Sequence, residues 1–231
     1  MEHASSHAGH QVTAGITYNI NLQVGTAPRA NEVTQLSLVV TEQKVGDPLL
    51  QFEPLHERLM HLIIVDESQS YFEHLHPVLQ GGPFLLSHVF PEEGHFKLWA
   101  EVKPAGAEPV LAAFRLTVSP GQVSRPQSER SASTPYRVRL TPSSRAPLHE
   151  SVELVFEVAD AEGRPITDLE PLMAAGGHCV VISSDLRDFV HVHPIEEVDA
   201  SWRGGQESAS SRAFTALCRT RFGANFSMRV S

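Results

Sequence analysis

Apolar and polar residues alternate along much of the chain. Ile16, Tyr18, Ile20, Leu22 and Val24 occupy every second position, as do Leu36, Leu38 and Val40, and later Phe96, Leu98, Ala100 and Val102. A period of two is that of a β-strand with one face in a core and the other towards solvent. Residues 59–65, 71–76, 84–90 and 110–118 are further strand-like runs, separated by Gly, Pro, Asp and Ser. No window carries the 3.6-residue period of a long amphipathic helix. About seven short antiparallel strands within some hundred residues predict a β-sandwich of the immunoglobulin or cupredoxin-like kind.

The pattern then recurs. Residues 54–77 read PLHERLMHLIIVDESQSYFEHLHP and residues 171–194 read PLMAAGGHCVVISSDLRDFVHVHP. A single offset of 117 superimposes Glu53 on Glu170, Pro54 on Pro171, Leu55 on Leu172, His61 on His178, Phe72 on Phe189, His74 on His191, His76 on His193 and Pro77 on Pro194. The same offset aligns Gly46-Asp47-Pro48 with Gly163-Arg164-Pro165. This is the signature of a tandem duplication. Strands of the second copy are expected at 136–141, 152–158, 178–183, 188–193, 214–219 and 226–230, with no counterpart of 110–118. The second sheet is therefore expected either to have an open edge, which needs a cover from the other domain or from a second chain, or to belong to a truncated chain. Residues 121–134 (GQVSRPQSERSAST) are polar and lack apolar periodicity, as a linker does. The expected organisation is all-β: two tandem antiparallel β-sandwich domains at 16–120 and 135–231, preceded by a flexible tail, 1–15, that carries His3, His7 and His10.

Composition narrows the function classes. A length of 231 residues is enough for two cores. Eighteen Lys and Arg against 27 Asp and Glu leave a net charge of −9, which opposes contact with phosphate backbones, so no nucleic-acid partner is expected. No apolar run approaches the roughly 20 residues that span a bilayer, so no transmembrane segment is expected. Met1 to His10 shows no basic region followed by an apolar stretch, so no export signal is read in this chain. Two cysteines, Cys179 and Cys218, exclude a disulfide framework and are read first as buried free thiols, next as a single bridge within the second half and last as metal ligands. There is no Gly-rich phosphate loop, no G-x-S-x-G elbow and no H-E-x-x-H helix, so an enzyme is not expected.

Histidine changes the picture, with 13 in the chain. On a strand, the H-x-H pairs His74/His76 and His191/His193 project both imidazoles from one face. A hairpin centred between Glu67 and Ser68 sets His61 opposite His74, and the same geometry in the second copy sets His178 opposite His191. Opposed residues lie about 4.5–5.5 Å apart at Cβ and diagonal ones about 7–8 Å, so three imidazoles converge in each copy. Their convergence depends on register, since a one-residue slip would throw His61 onto the other face. Three nitrogen donors favour copper or zinc over magnesium or calcium. Met60, His56, Met173 and Cys179 lie near in sequence as soft or additional ligands and tilt the choice towards copper. A blue-copper centre is not expected, because the first copy has no cysteine. His88, His95 and His149 are read as structural.

The apolar strand with His61, the short turn, the F-x-H-x-H-P run and the following Phe90-Pro91 and Gly94-His95-Phe96-Lys97 resemble the exported bacterial β-sandwich proteins of the YtkA-like and FixH-like domains. The second copy departs from that pattern, with Phe222-Gly223-Ala224-Asn225-Phe226 in place of the F-P-x-x-G-x-[FY] segment. The resemblance implies a periplasmic or secreted setting and a role in handling copper or other heavy metals, carried onto His61, His74, His76, His178, His191 and His193. The expected function is non-enzymatic metal binding, copper first and zinc second, at one three-histidine site per repeat. Sequestration of the ion or its delivery to a protein partner would be the role. The rival is an immunoglobulin-like interaction module with structural histidines, whose open edge pairs with a partner strand. A third reading is a pH-responsive module, because clustered imidazoles repel when protonated.

Overall fold

A computed structural model of the chain describes residues 6–7, 12–13, 16–55, 57–121, 136–142, 151–166, 179–192, 213–219 and 226–230. The chain divides into two compact units, Met1–Pro126 and Gln127–Ser231. The fold is all-β, its strands joined in antiparallel sheets, and among the described residues no helix is long and apolar enough to cross a membrane.

The first unit contains β1 (Ser6–His7), β2 (Val12–Thr13), β3 (Ile16–Val24), β4 (Val33–Glu42), β5 (Phe52–Glu53), β6 (Met60–Asp66), β7 (Phe72–Leu75), β8 (Val78–Leu79), β9 (Pro83–Val89), β10 (Gly94–Pro104) and β11 (Val110–Val118). One sheet runs β1-β11-β10-β6-β7, with β5 also against β10; the other runs β2-β3-β4-β9-β8. Their inner faces meet in one core, to which the alternating residues foreseen from the sequence contribute. Ile20, Leu36, Leu38, Val40 and Phe84 come from one sheet, and Leu62, Ile64, Leu98, Val102 and Phe114 from the other. This is the expected sandwich. The segment read as a flexible tail differs, since Ser6–His7 pairs with β11 and Val12–Thr13 with β3. The outer edge of β11 carries backbone groups that need partners, and the tail supplies them.

Strand β6 is buried at every residue. Met60, Leu62 and Ile64 face the sandwich core, which leaves His61, Ile63 and Val65 on the opposite side of the sheet, also buried. That double burial explains why the sequence here is a continuous apolar run rather than an alternating one.

The β6–β7 hairpin sets the geometry of everything on that outer side. Its pairs are Leu62 with Leu75, Ile63 with His74, Ile64 with Glu73 and Val65 with Phe72. His74 therefore faces Ile63, two residues from the partner expected for it. The reason lies in the turn, which is centred between Ser68 and Gln69 and not between Glu67 and Ser68. The carboxylate of Asp66 gathers it: Oδ1 accepts from the amide of Tyr71 at 2.6 Å, and Oδ2 accepts from the Ser68 amide and the Ser70 hydroxyl, each at 3.1 Å, and from the Ser68 hydroxyl. Gln69, at φ 59°, takes the left-handed conformation that closes the loop and donates its amide to the Asp66 carbonyl at 3.0 Å. A shift of two residues preserves the face of every side chain, so the histidines stay together.

The second unit contains β12 (Arg137–Pro142), β13 (Ser151–Ala159), β14 (Cys179–Ser183), β15 (Phe189–Val192), β16 (Ala213–Arg219) and β17 (Phe226–Val230). Its sheets run β12-β13-β16 and β15-β14-β17, the pairing of β3-β4-β9 and β7-β6-β10 in the first unit. Its hairpin pairs Val180 with His191 and Cys179 with Val192, again two residues from the expected register. Ser183 stands where Asp66 does: its hydroxyl accepts from the amides of Arg187 and Asp188 at 3.1 and 2.9 Å, and Leu186, at φ 56°, stands where Gln69 does. Most of the region read as a linker lies outside the described residues.

Two outcomes follow. Burial pushes the Asp66 carboxyl up, but the hydrogen bonds from Ser68, Tyr71 and Ser70 outweigh it and hold the group below the ordinary 3.8. Its stabilisation is then present above about pH 4 and lost as pH falls through the depressed value. Asp66→Ala should cost about 1–3 kcal/mol at pH 7 in denaturant unfolding and remove that acid limb. His88 behaves oppositely in origin but not in direction. It is buried beside Phe90, with Nε2 3.1 Å from the Tyr71 hydroxyl, and burial lowers its affinity for a proton. The unfolded chain therefore takes up the proton first, and stability should decline as pH drops below about 6.5, a decline that His88→Gln should flatten in melts from pH 8 to 5.

Candidate metal centre

Three imidazoles converge on the outer side of the β6–β7 hairpin. His61 comes from β6, His74 from β7, and His76 from the residues that follow β7, two positions beyond His74. Continuing the hairpin register sets His76 across from His61 and His74 across from Ile63, so the three form a triangle over two strands. Their ring centroids are 5.2 Å apart for His61 and His74, 5.0 Å for His61 and His76, and 4.8 Å for His74 and His76. One nitrogen of each lies within 4.8 Å of the others. His61 is 1% exposed, while His74 and His76 are half-buried on the edge strand, so the cluster is reached from the β7 side.

Hydrogen bonds orient the rings. Nε2 of His61 lies 2.7 Å from the carbonyl oxygen of Leu55, which can only accept, so Nε2 carries the proton and donates. In the neutral ring that leaves Nδ1 as the lone-pair atom, aimed at the cluster. His74 Nε2 lies 2.9 Å from this Nδ1 and donates to it. Leu55 is itself held by a tight turn: its amide donates to the Arg58 carbonyl at 2.8 Å, and its carbonyl also accepts from the Arg58 amide at 3.1 Å. A backbone carbonyl that fixes the remote nitrogen of a histidine is a recurrent support of metal ligands.

The donor set fits an ion of the zinc or copper kind. Two nitrogens, each about 2.0–2.1 Å from one ion and roughly 90° apart, are about 2.9 Å from each other, the separation His61 and His74 have. The third donor lies within 4.8 Å of the other two, and binding an ion would draw it inward to complete the triangle. His61, His74 and His76 would hold the ion, which would act as a point of charge against neutral imidazoles in a buried site.

Of the other candidates, His191 sits on β15 opposite Val180, the equivalent of His74 opposite Ile63, and its Nε2 is shielded from solvent. His178 and His193 lie outside the described residues, as do His56, Met173 and His149. Two of the nearby soft ligands point away. Met60 is in the sandwich core, and Cys179, buried and next to Val180 in β14, falls on the face opposite His191. Strand alternation, applied to the apolar run, would have shown this. His95 meets the Thr117 hydroxyl at 3.2 Å and His88 the Tyr71 hydroxyl, in keeping with structural roles. The sequence reading missed the Leu55 carbonyl and the Asp66 carboxylate. The recurrence of Leu55 as Leu172 was a signal for the first. Asp66 recurs only as Ser183, a smaller acceptor with the same role.

The tautomer is directly testable. Long-range proton–nitrogen correlation spectra of metal-free protein should show His61 with Nε2 protonated and Nδ1 bare. A metal held by His61 should shift Nδ1 and leave the Nε2 proton in place.

No curated protein matches the chain. The model of one protein family matches residues 11–120 and 131–226, most of the sequence and both units. The chain therefore belongs to the family described as a domain of unknown function, DUF8832.

Proposed function

We propose that this chain is a non-enzymatic metal-binding protein, made of two β-sandwich repeats that arose by duplication, each offering three histidines to one ion. Copper is the first choice and zinc the second, because nitrogen donor sets of this kind bind divalent copper more tightly than divalent zinc. The observation that carries the reading is the meeting of His61, His74 and His76 with His61 already oriented by the Leu55 carbonyl. Such preorganisation lowers the ordering cost of binding. The equal hairpin register in both units supports a second site at His178, His191 and His193. An open coordination position, approached from the β7 edge, would let a protein partner take the ion by ligand exchange. The resemblance to YtkA-like and FixH-like domains supports a periplasmic or secreted setting.

A second reading has its own observation. The His61–His74 hydrogen bond and the Leu55 carbonyl satisfy three ring nitrogens with no ion, as a structural cluster in an immunoglobulin-like interaction module would.

Elemental analysis separates the two. The protein, with His3, His7 and His10 replaced by Ala, is incubated with copper or zinc, passed through gel filtration and washed with a weak chelator. About two ions per chain should remain, and about one after His74→Ala with His76→Ala or after His191→Ala with His193→Ala. The melting temperature of the metal-free His191→Ala, His193→Ala variant should stay unchanged, and that of the His74→Ala, His76→Ala variant should fall only by what the lost His74–His61 hydrogen bond contributes, about 1–3 kcal/mol. No retained metal, together with a lowered melting temperature in the variants, would leave the histidines as structure.

A further inference from the structure

Among the described residues, the second unit has no counterpart of β11. In the first, β11 pairs with β10 from Gly94 opposite Val118 to Val102 opposite Val110. Its alternate residues Val110, Ala112, Phe114, Leu116 and Val118 are buried in one core with Tyr18 and Ile20 of β3. In the second unit, β17 stands to β14 as β10 stands to β6: Ser183 faces Phe226 where Asp66 faces Phe96. Among the described residues β17 pairs on that side only.

The surface that β11 covers in the first unit has a counterpart. Val40 accepts a hydrogen bond from the amide after Pro48, and Val158 one from the amide after Pro165, at 2.8 and 2.9 Å, which makes the two valines equivalent. Ile20 pairs with Val40 and Val138 with Val158, so Val138 is the counterpart of Ile20, and Leu140 that of Leu22. By the same spacing Tyr136 matches Tyr18. Tyr18 and Ile20 are 7% and 2% exposed, whereas Tyr136, Val138 and Leu140 are 50%, 51% and 36% exposed. An apolar strip thus accompanies a sheet edge whose backbone groups lack a neighbouring strand among the described residues.

We propose that the second unit binds an extended segment of another polypeptide, antiparallel to β17, with apolar residues at every second position. β11 shows the chemistry required, because in the first unit one strand supplies both the edge hydrogen bonds and the apolar cover. The register follows from the same equivalence. The incoming residue in the place of Leu116 lies opposite Phe226, and the one in the place of Ala112 opposite Val230, with the place of Phe114 between them. Main-chain pairing supplies affinity, and alternate side chains supply specificity. This surface belongs to the second unit, and the inference does not rest on metal binding.

The probe is a labelled synthetic peptide with the sequence of residues 108–120, EPVLAAFRLTVSP, titrated into the full chain and followed by fluorescence anisotropy. Saturable binding of one peptide per chain is expected. Val138→Asp should weaken it about tenfold or more, since a valine that the peptide would cover is replaced by a charge, while leaving the melting temperature of the peptide-free chain unchanged. A peptide with aspartate in the places of Phe114 and Leu116 should not bind. The inference is overturned if the wild-type chain takes up no peptide, or if Val138→Asp binds it equally well. It is also overturned if Val138→Asp alone lowers the melting temperature, which would mean that this chain already covers the strip. A concentration-dependent dimer abolished by Val138→Asp would overturn it too, by assigning the strip to a second copy.

Discussion

One carboxylate organises the first unit's site without touching it. Asp66 ends β6 and draws three residues of the turn onto its two oxygens, which fixes where β7 begins and which residues of the hairpin oppose each other. Because side chains on a strand alternate, a change of one residue in that turn would carry His74 and His76 to the face away from His61. The three imidazoles meet because the turn has four residues between Asp66 and Tyr71, with Gln69 in the left-handed conformation that such a closure needs. Ser183 and Leu186 meet the same requirement in the second unit with a hydroxyl in place of the carboxylate.

Burial then gives the cluster its chemical character. A histidine at 1% exposure near the start of a buried strand carries two ring nitrogens that must find partners, since an unmet polar atom in such a place is costly. The Leu55 carbonyl meets one of them and at the same time decides the tautomer, so that the other faces inward as a lone pair. His74 and His76, on the edge strand, keep partial exposure. The result is a site with one donor deep in the sheet and two on half-buried rings of the edge, although the Nε2 of His76 is itself shielded from solvent.

Topology separates the two units more than their hairpins do. Both share the pairing of three strands in each sheet, yet among the described residues only the first has a strand in the place of β11, and the counterparts of its buried Tyr18 and Ile20 are exposed in the second. A metal reading and a strand-docking reading therefore apply to different surfaces. The first concerns the outer side of the hairpin, and the second the edge and the apolar strip of the second unit.

Much of this was legible in the chain itself. Alternation at 16–24, 36–40 and 96–102 determined the strands and their buried faces, and the 117-residue offset determined which histidines recur. Strand parity alone placed His74 and His76 on one side, because side-chain direction depends only on local backbone geometry. The partner of His61 was not legible. Register depends on how many residues the turn consumes, and that number was decided by hydrogen bonds from Ser68, Ser70 and Tyr71 to Asp66, which sequence spacing does not reveal. Alternation alone sets Met60 on the face away from His61, yet which face of that all-apolar strand is the core was decided only when a second sheet packed against it. The tautomer of His61 came last, set by a backbone carbonyl in a turn six residues earlier, a contact that exists only once the chain has folded back over its own strand.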